Sequence, residues 1–265
     1  MIPVSVFYIA SREEDRIAES LASIQGWVRE IIVVVGHQDD PTAEIARNHG
    51  ARVLVNPWRG FGPQKRFAED QCAETWLFNL DADEVVTPPL REKLEALFRT
   101  GPPACDAYRM PIRFKFAFES TPHPKAYFNA PPRLYDKRKA RFRDHPVHDT
   151  VIPLDPAAPW SVGWLKADIA HASFRHLSHF VEKLNQYSDM QARVLFESGR
   201  KPSALRVLIE PLITFPKCYF GRRYFYYGVH GVTYAALWAV LRMTRLAKAR
   251  ELFLLRDYRA GTNSR

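Results

Sequence analysis

The chain has 265 residues, 46% hydrophobic and 25% charged, with no fixed-period repeat and no low-complexity tract; it suits one large α/β domain with an appendage and excludes a repeat array. Three cysteines (Cys72, Cys105, Cys218) stand far apart without metal-ligand spacing, which excludes a disulfide scaffold or zinc module and points to a reduced, cytoplasmic setting. A formal net charge of +9 calls for an acidic partner: nucleic acid, an anionic membrane surface or a phosphorylated substrate.

The N-terminus, Met1-Ile2-Pro3-Val4, has no basic stretch ahead of its apolar residues, so no signal peptide is expected. Val4 to Ala10 reads as a buried strand, rich in β-branched and aromatic residues. Ser11 then offers a helix N-cap, with Glu13 and Glu14 in the first turn and Ile17, Leu21 and Ile24 at helical spacing. Acidic residues at a helix start complement the dipole, which accounts for at least one of the two glutamates without any ligand.

Glu30 to Val35 is apolar enough to be a central parallel strand covered on both faces. A loop from Gly36 to Thr42, a helix from Ala43 to His49 and a strand from Arg52 to Val55 follow. The alternation predicts a mostly parallel, Rossmann-like sheet flanked by helices, with right-handed crossovers. Neither a G-x-G-x-x-G nor a G-x-x-x-x-G-K-[ST] run is present, so neither a dinucleotide site nor a P-loop is indicated.

The Gly/Pro-rich loop Asn56 to Arg66 carries Arg59, Lys65 and Arg66 and runs into a helix from Gln64 to Cys72. Trp76-Leu77-Phe78 then leads into Asn79-Leu80-Asp81-Ala82-Asp83-Glu84, which places three carboxylates at a strand end, where open α/β sheets bind ligands. Asp81 and Asp83 are two apart, so an ideal strand points both to one side. Carboxylates held this close need a cation, a proton or a basic partner, and a hard divalent ion bridging to phosphate oxygens supplies one. Lys65 and Arg66 would then face the diphosphate. The same D-x-D pattern also suits a solvated turn, and both readings stand at this point.

In the second half, Asp106 to Lys115 alternates apolar and basic residues as a half-exposed strand does. Lys137 to Arg143 is strongly basic, and His145-Pro146-Val147-His148-Asp149 groups imidazoles with a carboxylate. Arg175 to Ser198 reads as a helix, broken by Gly199-Arg200-Lys201-Pro202. Beyond Ser203, apolar and aromatic residues are interspersed with arginines, and Arg223 to Arg242 holds no formally charged residue between its ends. Two glycines, His230 and a run of tyrosines argue against a clean span there; an interfacial, monotopic helix fits better, with a buried helix of a soluble domain as the alternative.

Taken together, these segments resemble family-2 glycosyltransferases of the GT-A fold, and within them the branch acting on the lipopolysaccharide inner core. Ile9 to Glu14 stands where that family has I-T-K-N-E-E, and Asp40 to Ala46 resembles D-x-T-x-x-I-A. Pro57 to Lys65 resembles P-W-x-G-[YF]-x-x-Q-[KR], and Leu80 to Glu84 is L-D-A-D-E itself. Pro131 to Tyr135 and Pro146 to Asp149 resemble x-x-R-L-[FY] and P-V-H-E; His171 and Glu182 to Ser188 follow in order. Where the family usually has an aspartate at the end of the second strand, this chain has Val35, and Ala10, Ser11 and Arg12 replace the family's threonine, lysine and asparagine. Asp39 or Asp40 is the nearest acid to take over.

The resemblance implies an inverting, metal-dependent glycosyltransferase. Its GT-A domain would cover 1–200, with a donor half to about 98 and an acceptor half beyond, and 201–265 would form a helical, membrane-associating segment. Asp81 and Asp83 would hold Mg²⁺ or Mn²⁺. Glu13, Asp40, Lys65, Arg66, Asp81 and Arg133 would contact a nucleotide-diphosphate sugar, a UDP-sugar being favoured. Asp149 would be the catalytic base, with His148 as second candidate. The acceptor would be a lipid-linked saccharide, such as lipopolysaccharide core, at the cytoplasmic face of the inner membrane, to which the chain attaches peripherally or monotopically. Nucleic acid is not expected as a partner, since no recognition-helix, zinc-finger or RNP-like pattern is present. An inactive membrane-associated binding protein of the same fold is the alternative that Val35 leaves open.

Overall fold

The structure, a computed structural model, describes residues 1–116, 118–146 and 149–262. The chain divides into two compact units, one of residues 1–115 and 128–173 and one of 116–127 and 174–265.

In the first unit, β1 (Ile2–Ala10), α1 (Ile17–Ile24), β2 (Val28–Val35), α2 (Thr42–Asn48), β3 (Arg52–Val55), α3 (Phe61–Gln71) and β4 (Trp76–Asn79) alternate as the apolar runs predict. There follow β5 (Glu84–Val86), α4 (Pro88–Leu97), β6 (Ala107–Arg109), β7 (Ile112–Phe114), β8 (Phe128–Asn129), β9 (Pro132–Asp136), β10 (Ala140–Phe142), β11 (Val151–Pro153), β12 (Val162–Trp164) and β13 (Ile169–His171). A seven-stranded sheet runs β12-β6-β9-β4-β1-β2-β3, beside a four-stranded sheet β5-β13-β7-β8 and the β10-β11 pair.

The period-2 alternation of β1 explains why helices cover both faces of the large sheet. Val4, Val6 and Tyr8 join the core formed with Ile17, Leu21 and Ile24 of α1, while Phe7 joins Ile32, Val34, Ala68 and Leu77 on the other side. Strands β4, β1, β2 and β3 are parallel; β9 inserts antiparallel between β4 and β6, so the sheet is parallel from β4 to β3 and mixed beyond β4.

Three local expectations shift. Helix α1 begins at Ile17, not after Ser11, because the Arg12 backbone N–H donates to the Asp40 carboxylate and Arg12 takes a left-handed φ of 54°; the backbone is committed to a tertiary contact before the helix can start. The single strand expected over 106–115 is two, β6 and β7, placed in different sheets on either side of Met110-Pro111. Strand β4 stops at Asn79, and Asp81 to Glu84 closes a turn through Glu84 N–H to Asp81 C=O at 2.9 Å, so strand geometry no longer governs Asp81 and Asp83.

The second unit contains α5 (Leu177–Glu197), α6 (Ala204–Pro216), a π-helical turn at Lys217–Gly221, a 3₁₀ turn at Tyr224–Tyr227 and α7 (Gly228–Thr262). Phe180 of α5 stacks on Tyr234 of α7 at 4.6 Å, and Lys248 bonds Asp189 at 2.7 Å. Helix α5 therefore belongs with the C-terminal helices rather than with the sheet. No helix among the described residues is long and apolar enough to cross a membrane.

Candidate active site

Past the carboxyl end of β4, a cavity of about 160 Å³ is lined by Lys65, Asp81, Arg133, Asp149, Phe142 and the Pro131-Pro132 pair that opens β9. Four side chains that the sequence scatters over four segments thus meet at one place. Lys65, almost fully buried on α3, puts Nζ 2.7 Å from Asp149 Oδ2 and 3.3 Å from Asp81 Oδ1, and lies over the Phe142 ring at 4.8 Å. Arg133, on β9, donates to Asp81 Oδ2 at 3.0 Å, to Glu84 Oε1 at 2.6 Å and to Asn79 Oδ1.

The charge states follow from this packing. Burial works against the charge on Asp81, but Lys65 and Arg133 hold its carboxyl well below the usual range. Burial also disfavours the Arg133 guanidinium, yet Glu84 and Asp81 raise its pKa. Glu84 goes the other way: almost fully enclosed and beside Asp81, it is pushed up to about 7 despite Arg133.

Asp83 turns to different partners. It accepts from Arg16 Nη1 at 3.2 Å and faces His171 Nε2 at 3.3 Å. Burial opposes its charge, and the hydrogen bond and charge of His171, together with Arg16, lower its pKa. His171 is raised against its own burial by Asp83.

The segment that carries Asp149 is tied to α3 through backbone. Phe61 N–H donates to Pro146 C=O at 3.0 Å and Gly62 N–H to His145 C=O at 3.1 Å, so the first turn of α3 spends its free donors on that segment. A Cβ on Gly62 would lie 2.3 Å from the Arg143 carbonyl oxygen, which makes the approach possible for glycine alone.

Other expected residues fall elsewhere. The Asp40 carboxylate receives the N–H groups of Arg12 and Thr42, which makes it a bracket between two loops. Glu13 pairs with Arg16, and its N–H donates to Thr42 Oγ1 at 2.9 Å. Arg66 is half-buried and forms no ion pair among the described residues. His148 lies outside the described residues. Sequence reasoning did not assign roles to Arg16, Asn79, Glu84 or His171; Glu84 sits in the L-D-A-D-E run, and His171 follows the matched segments in order, so those two had a signal.

No group of three or more His, Cys, Asp or Glu side chains converges among the described residues. Asp81, its side chain 38% exposed, is the carboxylate of the D-x-D pair that faces the cavity. One protein carboxylate at an open cavity fits a hard cation that takes its remaining oxygens from a diphosphate and water, as Mg²⁺ sites often do, and does not make a closed protein cage.

The profile of glycosyl transferase family 2 matches residues 5–153. A protein of Rickettsia prowazekii described as an uncharacterized glycosyltransferase is 34% identical over 259 residues, covering 96% of this chain and 89% of its own. The lipopolysaccharide core biosynthesis glycosyltransferase LpsC of Rhizobium meliloti is 28% identical, covering 93% and 92%. Among solved structures, Staphylococcus aureus TarS (residues 1–349) covers 98% of this chain and 92% of its own at 14% identity and a TM-score of 0.48, too weak a likeness to bear on function. With its central mixed α/β sheet and a family match across more than half its length, this chain belongs to glycosyltransferase family 2.

Proposed function

We propose that this glycosyltransferase moves a sugar, with inversion, from a nucleotide diphosphate to a lipid-linked saccharide acceptor at a membrane surface. The observation that carries the proposal is the cavity in which Lys65 and Arg133 meet Asp81 and Asp149. Two cations beside two carboxylates suit a reaction in which a diphosphate leaves and a hydroxyl loses its proton.

Asp149 accepts the proton of the acceptor hydroxyl while that oxygen forms a bond to the anomeric carbon. The bond from the anomeric carbon to the diphosphate oxygen breaks, and its electron pair leaves with the nucleoside diphosphate. Lys65 and Arg133 would offset that negative charge, and their ion pairs with Asp81, which hold them in place before the reaction, support this role. Mg²⁺ or Mn²⁺, bound at Asp81 with the diphosphate, would add positive charge to the leaving group. Similarity to LpsC supports a lipopolysaccharide-core acceptor.

The test is a transfer assay with a panel of nucleotide sugars and truncated lipopolysaccharide-core acceptors, comparing wild type with Asp149→Asn. Sugar transfer by wild type, reduced at least about a hundredfold in the variant, is expected. Folded wild type that transfers no sugar to any core acceptor, or an Asp149→Asn variant at wild-type rate, contradicts the proposal.

A further inference from the structure

Helix α6 is built inside out. None of its residues is buried. Its acid, Glu210, turns toward α7 and accepts from Arg242 Nε at 3.0 Å and Arg245 Nη2 at 3.1 Å. The aliphatic side chains go the other way: Leu205, Leu208, Leu212 and Ile213 are 65%, 66%, 73% and 62% exposed. Their spacing of three, seven and eight places them on one face. A soluble helix buries such a stripe and solvates its charges.

The apolar face carries on into the turns that follow. Phe215 stacks on Tyr219 at 5.6 Å, and Tyr219 and Phe220 both approach Phe225, Phe220 being 63% exposed. Cations border it. Lys217 and Arg223 are exposed, and Lys125 lies over the Tyr226 ring at 5.5 Å. Glu210 is the only acid between Ser203 and Arg250, and it is spent on α7. A sequence-level expectation put the interfacial segment at 223–242. The start of that stretch, Phe225 and Tyr226, continues the exposed face of α6, whereas Tyr234, Ala235, Ala239 and Leu241 farther along it are buried.

We propose that this face is the surface by which the enzyme lies in an anionic bilayer, α6 sunk to the depth of the headgroups and Lys217 and Arg223 meeting lipid phosphates. Aliphatic residues on one side, aromatics at the edge and cations beside them are what an interfacial helix requires. A second copy of the chain fits less well. A two-fold contact presents the patch to itself, so Lys217 and Arg223 would meet like charges with no acid to relieve them. The inference rests on the membrane-surface part of the proposed function and supplies the residues for it.

The test uses the full chain, without donor or acceptor, in co-sedimentation with phosphatidylcholine vesicles with and without phosphatidylglycerol. Wild type is expected to bind the anionic vesicles at least about tenfold more tightly than neutral ones, weakening as salt rises. Leu208→Ser/Leu212→Ser should lower partitioning at least about tenfold, and Lys217→Ser/Arg223→Asn should flatten the salt dependence. Val194→Ser, an exposed apolar position on α5, should change neither. Circular dichroism and thermal unfolding report whether each variant is folded. Should the double leucine variant not fold, amide exchange on wild type decides: vesicles should slow it over 204–220 and leave 17–24 unchanged. Undiminished binding by the folded leucine variant, no vesicle binding by wild type, or a wild-type dimer that the leucine substitutions dissociate would each overturn the inference. Vesicle binding and sugar transfer to soluble, lipid-free acceptors are read separately, so either proposal can fail while the other stands.

Discussion

Lys65 Nζ lies 2.7 Å from the Asp149 carboxylate and, on its other side, 3.3 Å from Asp81, so one buried cation joins the candidate base to the candidate diphosphate site. Lys65→Met should therefore cost transfer heavily, by about a hundredfold in kcat, if Lys65 carries the role proposed for it at the departing diphosphate. Steady-state kinetics on folded variant protein, with donor varied, checks this; a change confined to KM would assign Lys65 to binding alone.

Arg133 holds the interior together through Asn79, Asp81 and Glu84. Removing it strands Glu84 and part of Asp81 in the interior, with Asn79 Oδ1 losing its donor. Arg133→Met is expected to lower unfolding free energy by about 3–5 kcal/mol, measured by urea denaturation. A stability loss within about 0.5 kcal/mol would show that Glu84 is content without its partner.

The glycine at position 62 sets the distance between α3 and the Asp149 segment. Gly62→Ala places a methyl group against the Arg143 carbonyl oxygen and the His145 amide. The segment must move, and kcat should fall by about ten- to a hundredfold, more than donor KM rises. The same substitution should cost about 1–3 kcal/mol of stability, visible as a lowered Tm.

Asp83 and His171 give the fold a pH signature. His171 is raised from 6.5 by Asp83, so its contribution is complete below pH 6.5 and fades as pH rises through the folded value. Asp83 is lowered from 3.8, so its contribution is complete above pH 3.8 and fades as pH falls through its folded value. The pair stabilises most between those limits. Asp83→Asn should lose about 1–2 kcal/mol in that window, and the difference from wild type should narrow at alkaline pH in thermal unfolding across a pH series.

The sheet was legible because β1 and β2 are apolar on both faces, which single-segment patterning detects well. Helix α1 started late because the backbone at Arg12 serves Asp40, a contact no local pattern records. Asp81, Lys65 and Arg133 could be singled out from motifs, but nothing in their spacing said that Lys65 would reach Asp149 or that Arg133 would link Asp81 to Glu84. Asp83 was expected beside Asp81 on strand geometry; the turn from Asp81 to Glu84 sends it to Arg16 and His171. Beyond Ser203 the sequence showed apolar residues interspersed with arginines but not which side would face the protein, because that depends on Arg242 and Arg245 of another helix.

The measurement that bears most directly on the active-site assignment is calorimetric titration of UDP, GDP, ADP and dTDP, with and without Mn²⁺, into wild type and Asp81→Asn. One nucleoside diphosphate should bind wild type in a metal-dependent way and bind Asp81→Asn at least about tenfold more weakly. Equal binding by the folded variant, or no binding of any of the four to folded wild type, would contradict the assignment of the Lys65–Asp81–Arg133 cavity as the donor site.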